Sequence, residues 1–168
     1  MTAISDKIRH LLKTQGVNFS EIHHEPTYTS EESAQARGEK LHTGAKAILA
    51  KTDDSYKLFV LPADARLDSA AVKRVLGLKK IRFATREELL DLTGLVPGSI
   101  PPFGEPILPF QLYCDYSLGK TSDRLAFNAG SLTMSIIMSA ADWEKVARPV
   151  RLSFREAKEM NQARDCRL

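Results

Sequence analysis

The chain has 168 residues, 43% hydrophobic and 27% charged, a balance that fits one globular domain with a real core. Its net charge of +3 and pI near 8.9 permit an anionic partner without requiring one. No run reaches the roughly 18 to 20 apolar residues of a membrane span, and the first residues lack a signal peptide's apolar core. Cys114 and Cys166 are far apart and show no metal-ligand spacing. Together these features predict a reduced, cytoplasmic protein with no membrane, metal or cofactor.

Over 5–15, Ile8, Leu11 and Leu12 recur at helical spacing and Gly16 supplies a stop, which predicts an amphipathic first helix. A strand-like segment at 17–23 follows. Ser30, Glu31, Glu32 and Ser33 read as a helix start ahead of 34–37, with Gly38 at its end. Two apolar runs, 45–51 and 56–61, flank the polar turn Thr52-Asp53-Asp54-Ser55 and predict an antiparallel hairpin. Asp68 caps a helix over 68–76 with apolar Ala71, Val72, Val75 and Leu76, closed by Gly77. After a brief strand at 81–84, Thr85 and Glu88 form a capping box for a helix over 87–92 that ends at Gly94. Strands are expected at 111–116, 124–128 and 132–138, then a helix over 140–147 with Trp143 and Val146 inward, then a last strand at 149–154. Residues 155–168 mix charges of both signs and read as a charged helix or tail beyond a domain of 1–154. This order is no repeating βαβ pattern, so the expected class is a single α/β domain around a mixed, largely antiparallel sheet.

Within that order, T-G-L-V-P-G-S-I-P-P-F-G at 93–104 stands apart, with three glycines, three prolines and no charge. Such a loop is rigid and brings bare backbone close to a ligand. Strand alternation puts Lys46 on one face with Ile48 and Ala50, and Ala47 with Leu49 on the other. A lysine there either meets an anion or snorkels from a strand edge. The segment Phe127-Asn128-Ala129-Gly130-Ser131 is either a tight turn or a source of small residues with polar donors. No Ser/His/Asp or Cys/His constellation is evident. His10 reads as a solvated helix residue, His23 and His24 as strand-end residues, and His42 is held in reserve.

Several segments, taken in order, resemble the YbaK/ProX family. They are Lys46 in its apolar strand, L-F-V-L-P-A-D-A-R-L-D at 58–68, K-R-V-L-G at 73–77, T-R-E-E-L-L-D-L-T-G at 85–94, V-P-G-S-I-P-P-F-G at 96–104, and the N-A-G turn. The family comprises aminoacyl-tRNA deacylases similar to the editing domain of bacterial prolyl-tRNA synthetase. The resemblance covers roughly 20–150. It implies a barrel-like sheet surrounded by helices and trans-acting hydrolysis of the ester of a mischarged tRNA bearing a small amino acid such as Ala or Cys, with tRNA-Pro as a candidate acceptor and no metal. Lys46 matches the family's pocket lysine, and Gly98, Ser99, Ile100, Pro101 and Pro102 match its G-x-x-x-P loop, followed by Phe103 and Gly104. Thr27, Tyr28 and Thr29 are candidates to line the pocket. Asn128, Ala129, Gly130 and Ser131 resemble the YbaK branch more than relatives with a histidine at this turn.

Ester hydrolysis needs an activated water or hydroxyl, an oxyanion site and a hold on the nucleic acid end. Loop amides over 98–104 can supply the oxyanion site. Lys46 can bind the terminal phosphate or ribose, and a ribose hydroxyl can assist. Phe103 is either a pocket wall or a core residue. Lys73, Arg74, Lys79, Lys80 and Arg82 are either a path for tRNA phosphates or a solvated helix end. An aminoacyl-tRNA synthetase is a further candidate partner. The alternative function is a catalytically inactive domain that binds aminoacyl-tRNA, an amino acid or a nucleotide.

Overall fold

The computed structural model describes residues 3–157. Its elements are α1 (Ala3–Thr14), β1 (Phe19–His23), α2 (Ser30–Arg37), a 3-10 turn (Leu41–Thr43), β2 (Ala45–Thr52), β3 (Tyr56–Pro62), α3 (Ser69–Leu76), β4 (Ile81–Phe83), α4 (Arg86–Thr93), β5 (Gln111–Asp115), β6 (Arg124–Asn128), β7 (Met134–Ser139), α5 (Ala140–Ala147) and β8 (Val150–Leu152). None of the described helices is long and apolar enough to cross a membrane.

Local chemistry sets the helix ends. Asp68 accepts the Ala71 N–H at 3.1 Å to start α3, and Thr85 and Glu88 cap α4 reciprocally. Each such cap is worth about 1 kcal/mol. Helix α2 starts at Ser30, where the sequence places it, with the Thr29 hydroxyl accepting the Glu32 N–H as the cap. Gly38, Gly77 and Gly94 end their helices in the left-handed region.

The strands form two sheets, not one. An antiparallel sheet runs β1-β7-β6, and a mixed sheet runs β4-β2-β3-β5-β8 with β5 parallel to both neighbours. Among the described residues, one isolated bridge, Gly44 with Ala126, joins them in a ladder. The expected barrel-like closure is therefore corrected: both sheets are open. Strand β4 pairs only with Ala50, Lys51 and Thr52 of β2, and the start of β2 is left facing the second sheet across a seam. Strand ends also shift from expectation. Val17 gives its N–H to Leu12, Leu132 accepts from Thr27 instead of joining β7, and β8 stops where the Asp115 carboxylate takes the N–H groups of Phe154 and Arg155.

The two faces of the mixed sheet cover separate cores. Ala45, Ala47 and Leu49 face the larger one, between the sheets and α1, where Ile8, Leu12, Phe103, Phe127 and Trp143 are buried. Ile48 and Ala50 face the other, with Phe59, Leu61, Val72 and Phe154. The period-2 alternation puts Lys46 on this second face, at the sheet's end. Arg155 bridges to Leu67 and Glu156 donates its N–H to Arg66, so the expected tail begins packed on the domain. Its remainder, 158–168 with Cys166, lies outside the described residues. Cys114 is fully buried, and burial pushes its thiol up to about 12.

Candidate functional site

A cleft of about 110 Å³ opens at the seam between the sheets. Of the residues expected to line it, Thr27, Tyr28, Thr29, Lys46, Gly98, Ile100 and Asn128 do so. Ser30, Ser33, Arg37, Gly44, Ala45, Ala47 and Ala63 complete it, and sequence reasoning had assigned none of these to the site. Four of the lining side chains between Thr27 and Ser33 carry aliphatic hydroxyls, and the Thr27 and Ser33 hydroxyls meet at 2.8 Å. Tyr28 stands at the rim, 72% exposed, with its N–H on the Glu32 carboxylate.

The other expected residues are packed elsewhere. The Ser99 hydroxyl closes a turn by donating to Val96 O at 2.7 Å, and the Pro102 carbonyl accepts the Trp143 indole N–H at 2.9 Å. Pro101 does not line the cleft. Phe103 is a core residue, edge-on to Phe127 with centroids 5.5 Å apart. Gly104 has a reason of its own: a Cβ there would lie 2.6 Å from Phe110 O, so the close approach is to protein backbone and not to a ligand. Ala129 is buried and its carbonyl accepts the Ser5 hydroxyl at 2.6 Å. Gly130 and Ser131 belong to the β6–β7 connection, where Ser131 bonds Thr133. His42 lines a different surface hollow, with Asp64 and Arg155.

Two cations share the cleft. Lys46 is half-buried and its amine makes no hydrogen bond to a described residue; desolvation and the nearby Arg66 hold that amine below the ordinary lysine range, against the pull of Asp64 and Glu31. Burial likewise lowers Arg37 to about 10, with Glu39 acting the other way, so Arg37 stays charged at neutral pH. Arg37 leaves the last turn of α2 and reaches the antiparallel sheet. Its Nε donates to Ser135 Oγ at 2.8 Å, one Nη to Asn128 Oδ1 at 3.0 Å and the other to Ala126 O at 3.5 Å. Asn128 in turn donates Nδ2–H to the Gly98 carbonyl at 2.8 Å and accepts the Ser135 hydroxyl at 3.0 Å. His24 Nε2 also meets Ser135 Oγ at 2.8 Å. The serine has one proton, so when it donates to Asn128, His24 is the donor.

Residues with unbonded backbone donors line the same space. Between Pro97 and Pro102 only Gly98, Ser99 and Ile100 carry an N–H. Ser99 gives its N–H to Val96 at 3.1 Å, while those of Gly98 and Ile100 make no hydrogen bond to a described residue. Gly98 sits at φ 88, a conformation that favours glycine. In β2, the Ala63-to-Gly44 and Thr52-to-Ser55 bonds and the register Ala45 with Pro62 put even-numbered residues in the bonded pairs with β3. Ala47 therefore turns its N–H to the open edge beside the cleft.

A second concavity, of about 590 Å³, gathers Lys73, Lys79, Lys80 and Arg82 with Lys51 and Asp53; Arg74 does not line it. The Asp53 carboxylate accepts the N–H groups of Lys79 and Lys80 at 2.7 to 3.1 Å, and these bonds pull it below the usual carboxylate range. Arg82 is paired with Glu88.

Residues 24–146 match the family described as the aminoacyl-tRNA editing domain. The Escherichia coli protein named multifunctional Ser/Thr-tRNA deacylase ProXp-y is 35% identical over 150 residues, 86% of this chain and 89% of the relative. The prolyl-tRNA editing protein ProX of Acetoanaerobium sticklandii is 27% identical over 139 residues, 79% of this chain and 83% of that one. The crystal structure of a proposed trans-editing enzyme for prolyl tRNA synthetase superposes with a TM-score of 0.78 at 23% identity, over 94% of this chain and 99% of the other.

Proposed function

The chain belongs to the aminoacyl-tRNA editing domain family, and from that premise we propose that it hydrolyses, in trans, the ester joining a wrongly attached small amino acid to the 3′-terminal ribose of a tRNA. The observation that carries this reading is one cleft with two basic side chains and, among the described residues, no carboxylate paired to either, beside the loop residues Gly98 and Ile100. In the proposed reaction a water attacks the ester carbonyl carbon, the carbon–oxygen bond to the ribose breaks, and the ribose oxygen leaves with a proton. The neighbouring ribose hydroxyl positions the water. The N–H groups of Gly98, Ile100 and Ala47 are aimed where the oxyanion develops, at which a single donor is worth about 10²-fold or more in rate. Lys46 holds the terminal phosphate, and Tyr28 offers a stacking face to the terminal base.

The cleft volume of about 110 Å³ is below the roughly 150 Å³ that accommodates benzene, which favours a small side chain. Its hydroxyl lining supports serine above the alanine or cysteine expected from sequence, because a site built to hydrogen-bond a hydroxyl rejects analogues that lack it. The basic concavity around Lys79 and Lys80 is the proposed path for the tRNA backbone. It begins where β2 ends, about 17 Å along the strand from Lys46 at roughly 3.4 Å per residue.

The test is a panel of tRNAs charged with serine, threonine, alanine, cysteine or proline, incubated with the purified protein and with Lys46→Ala. Release of serine faster than alanine, abolished in the variant, is expected. Inactivity across the panel would favour a binding domain over an enzyme, and an undiminished Lys46→Ala rate would remove that residue from the mechanism.

A further inference from the structure

Arg37 lines the cleft, yet three of its five N–H donors are committed to protein acceptors on β6 and β7. Its contact with Asn128 Oδ1 fixes which way that amide faces, oxygen toward Arg37 and Ser135, nitrogen toward the Gly98 carbonyl. Asn128 and Ser135 are both buried, so the chain is shielded from exchange with solvent. The Gly98 carbonyl is thereby anchored from the antiparallel sheet, while the turn closed by Ser99 anchors the same loop from its other side. With both anchors in place, Gly98 and Ile100 are held in the cleft wall, their N–H groups making no bond to a described residue.

We propose that Arg37 is a positioning residue, acting through Asn128 to hold the Gly98 carbonyl and so aim the loop N–H groups at the substrate. This rests on the deacylase reading for its kinetic arm, though not for its structural one. A group held about 1 Å from its working position costs on the order of 10²-fold in rate. Replacing Arg37 by methionine removes its donors and leaves Asn128 Oδ1 held by the Ser135 hydroxyl alone; replacing it by lysine keeps the charge but offers one donor nitrogen in place of three.

The experiment compares wild type, Arg37→Met, Arg37→Lys, Asn128→Ala and the Arg37→Met/Asn128→Ala double variant. Backbone hydrogen exchange is measured over 94–104, together with kcat and KM for a mischarged tRNA. In Arg37→Met, exchange over the loop is expected to rise on the order of tenfold while α3 and β3 are unchanged. Its kcat should fall about 10²-fold with KM within about twofold, and Arg37→Lys should lie between. The double variant should be no slower than Asn128→Ala alone, within about threefold, because the two residues act in series. Unchanged loop exchange, losses that multiply in the double variant, or a loss confined to KM would each overturn the proposal. If Arg37→Met does not fold, Arg37→Lys carries the same exchange comparison. If wild type itself is inactive on every tRNA, the deacylase reading fails and loop exchange alone decides the role of Arg37.

Discussion

Lys46 and Arg37 occupy a small cleft where desolvation works against the charged form of both. Folding disfavours the protonated form of Lys46, so at neutral pH that charge lowers stability, and the deficit lifts as pH rises through the lowered value toward the unfolded lysine pKa of about 10.4. Lys46→Met is accordingly expected to melt a few degrees above wild type at pH 7 while losing activity, with the difference narrowing toward pH 10. Calorimetry at both pH values checks this; a variant that melts below wild type at pH 7 would show that the lysine stabilises its surroundings. Lys46 was legible in the sequence because a cation in a strand of alternating apolar residues is a local anomaly. Arg37 was not, since the residues it bonds, Asn128 and Ser135, lie 91 and 98 positions away. In sequence it is simply a basic residue at a helix C-terminus.

At the level of elements, a buried carboxylate anchors the segment after β8, beside the bridge of Arg155 to Leu67. Asp115, 2% exposed, accepts the N–H groups of Phe154 at 2.8 Å and Arg155 at 3.0 Å as well as that of Ser117. Desolvation raises its pKa, but the Ser117 hydroxyl together with these N–H groups outweighs that and leaves it below the ordinary carboxylate value. Asp115→Ala should cost about 2–4 kcal/mol, because buried donors lose their acceptor. The folded pKa is depressed, so the ionised form contributes stability above an unfolded value of about 3.9, and this contribution is lost as pH falls through the folded one. Denaturant unfolding of both proteins at pH 7 and pH 3 tests it: the gap should be largest at pH 7, and an equal gap at both would sink the assignment. Caps at Asp68 and Thr85 were readable because they involve residues three apart. Strand limits at Phe19, Met134 and Leu152 were not, because a strand ends where its partner does, and no local residue records that. The same holds for the loop after α4, whose glycines serve different ends: Gly98 a positive φ at the cleft, Gly104 a close approach to Phe110.

Across the whole molecule, the basic concavity and the cleft lie at opposite ends of β2. If tRNA phosphates occupy the former, Lys79→Gln/Lys80→Gln should weaken tRNA binding and flatten the dependence of log K on log salt by about 0.7 to 0.9 per lost phosphate contact. A slope identical to wild type would return those lysines to the role of solubilising charge. The α/β class and the mixed pairing followed from the order of elements. The division into two open sheets did not, because it depends on β4 being too short to cover β2. That division has a consequence for divergence. Since one bridge, Gly44 with Ala126, is the sole ladder contact across the seam among the described residues, the dimensions of the cleft are set by replaceable side chains and not by strand pairing. Point replacements at such positions can retune which acyl group is accepted while both ladders stay intact, a separation of selectivity from folding that suits one scaffold to a lineage of related hydrolases.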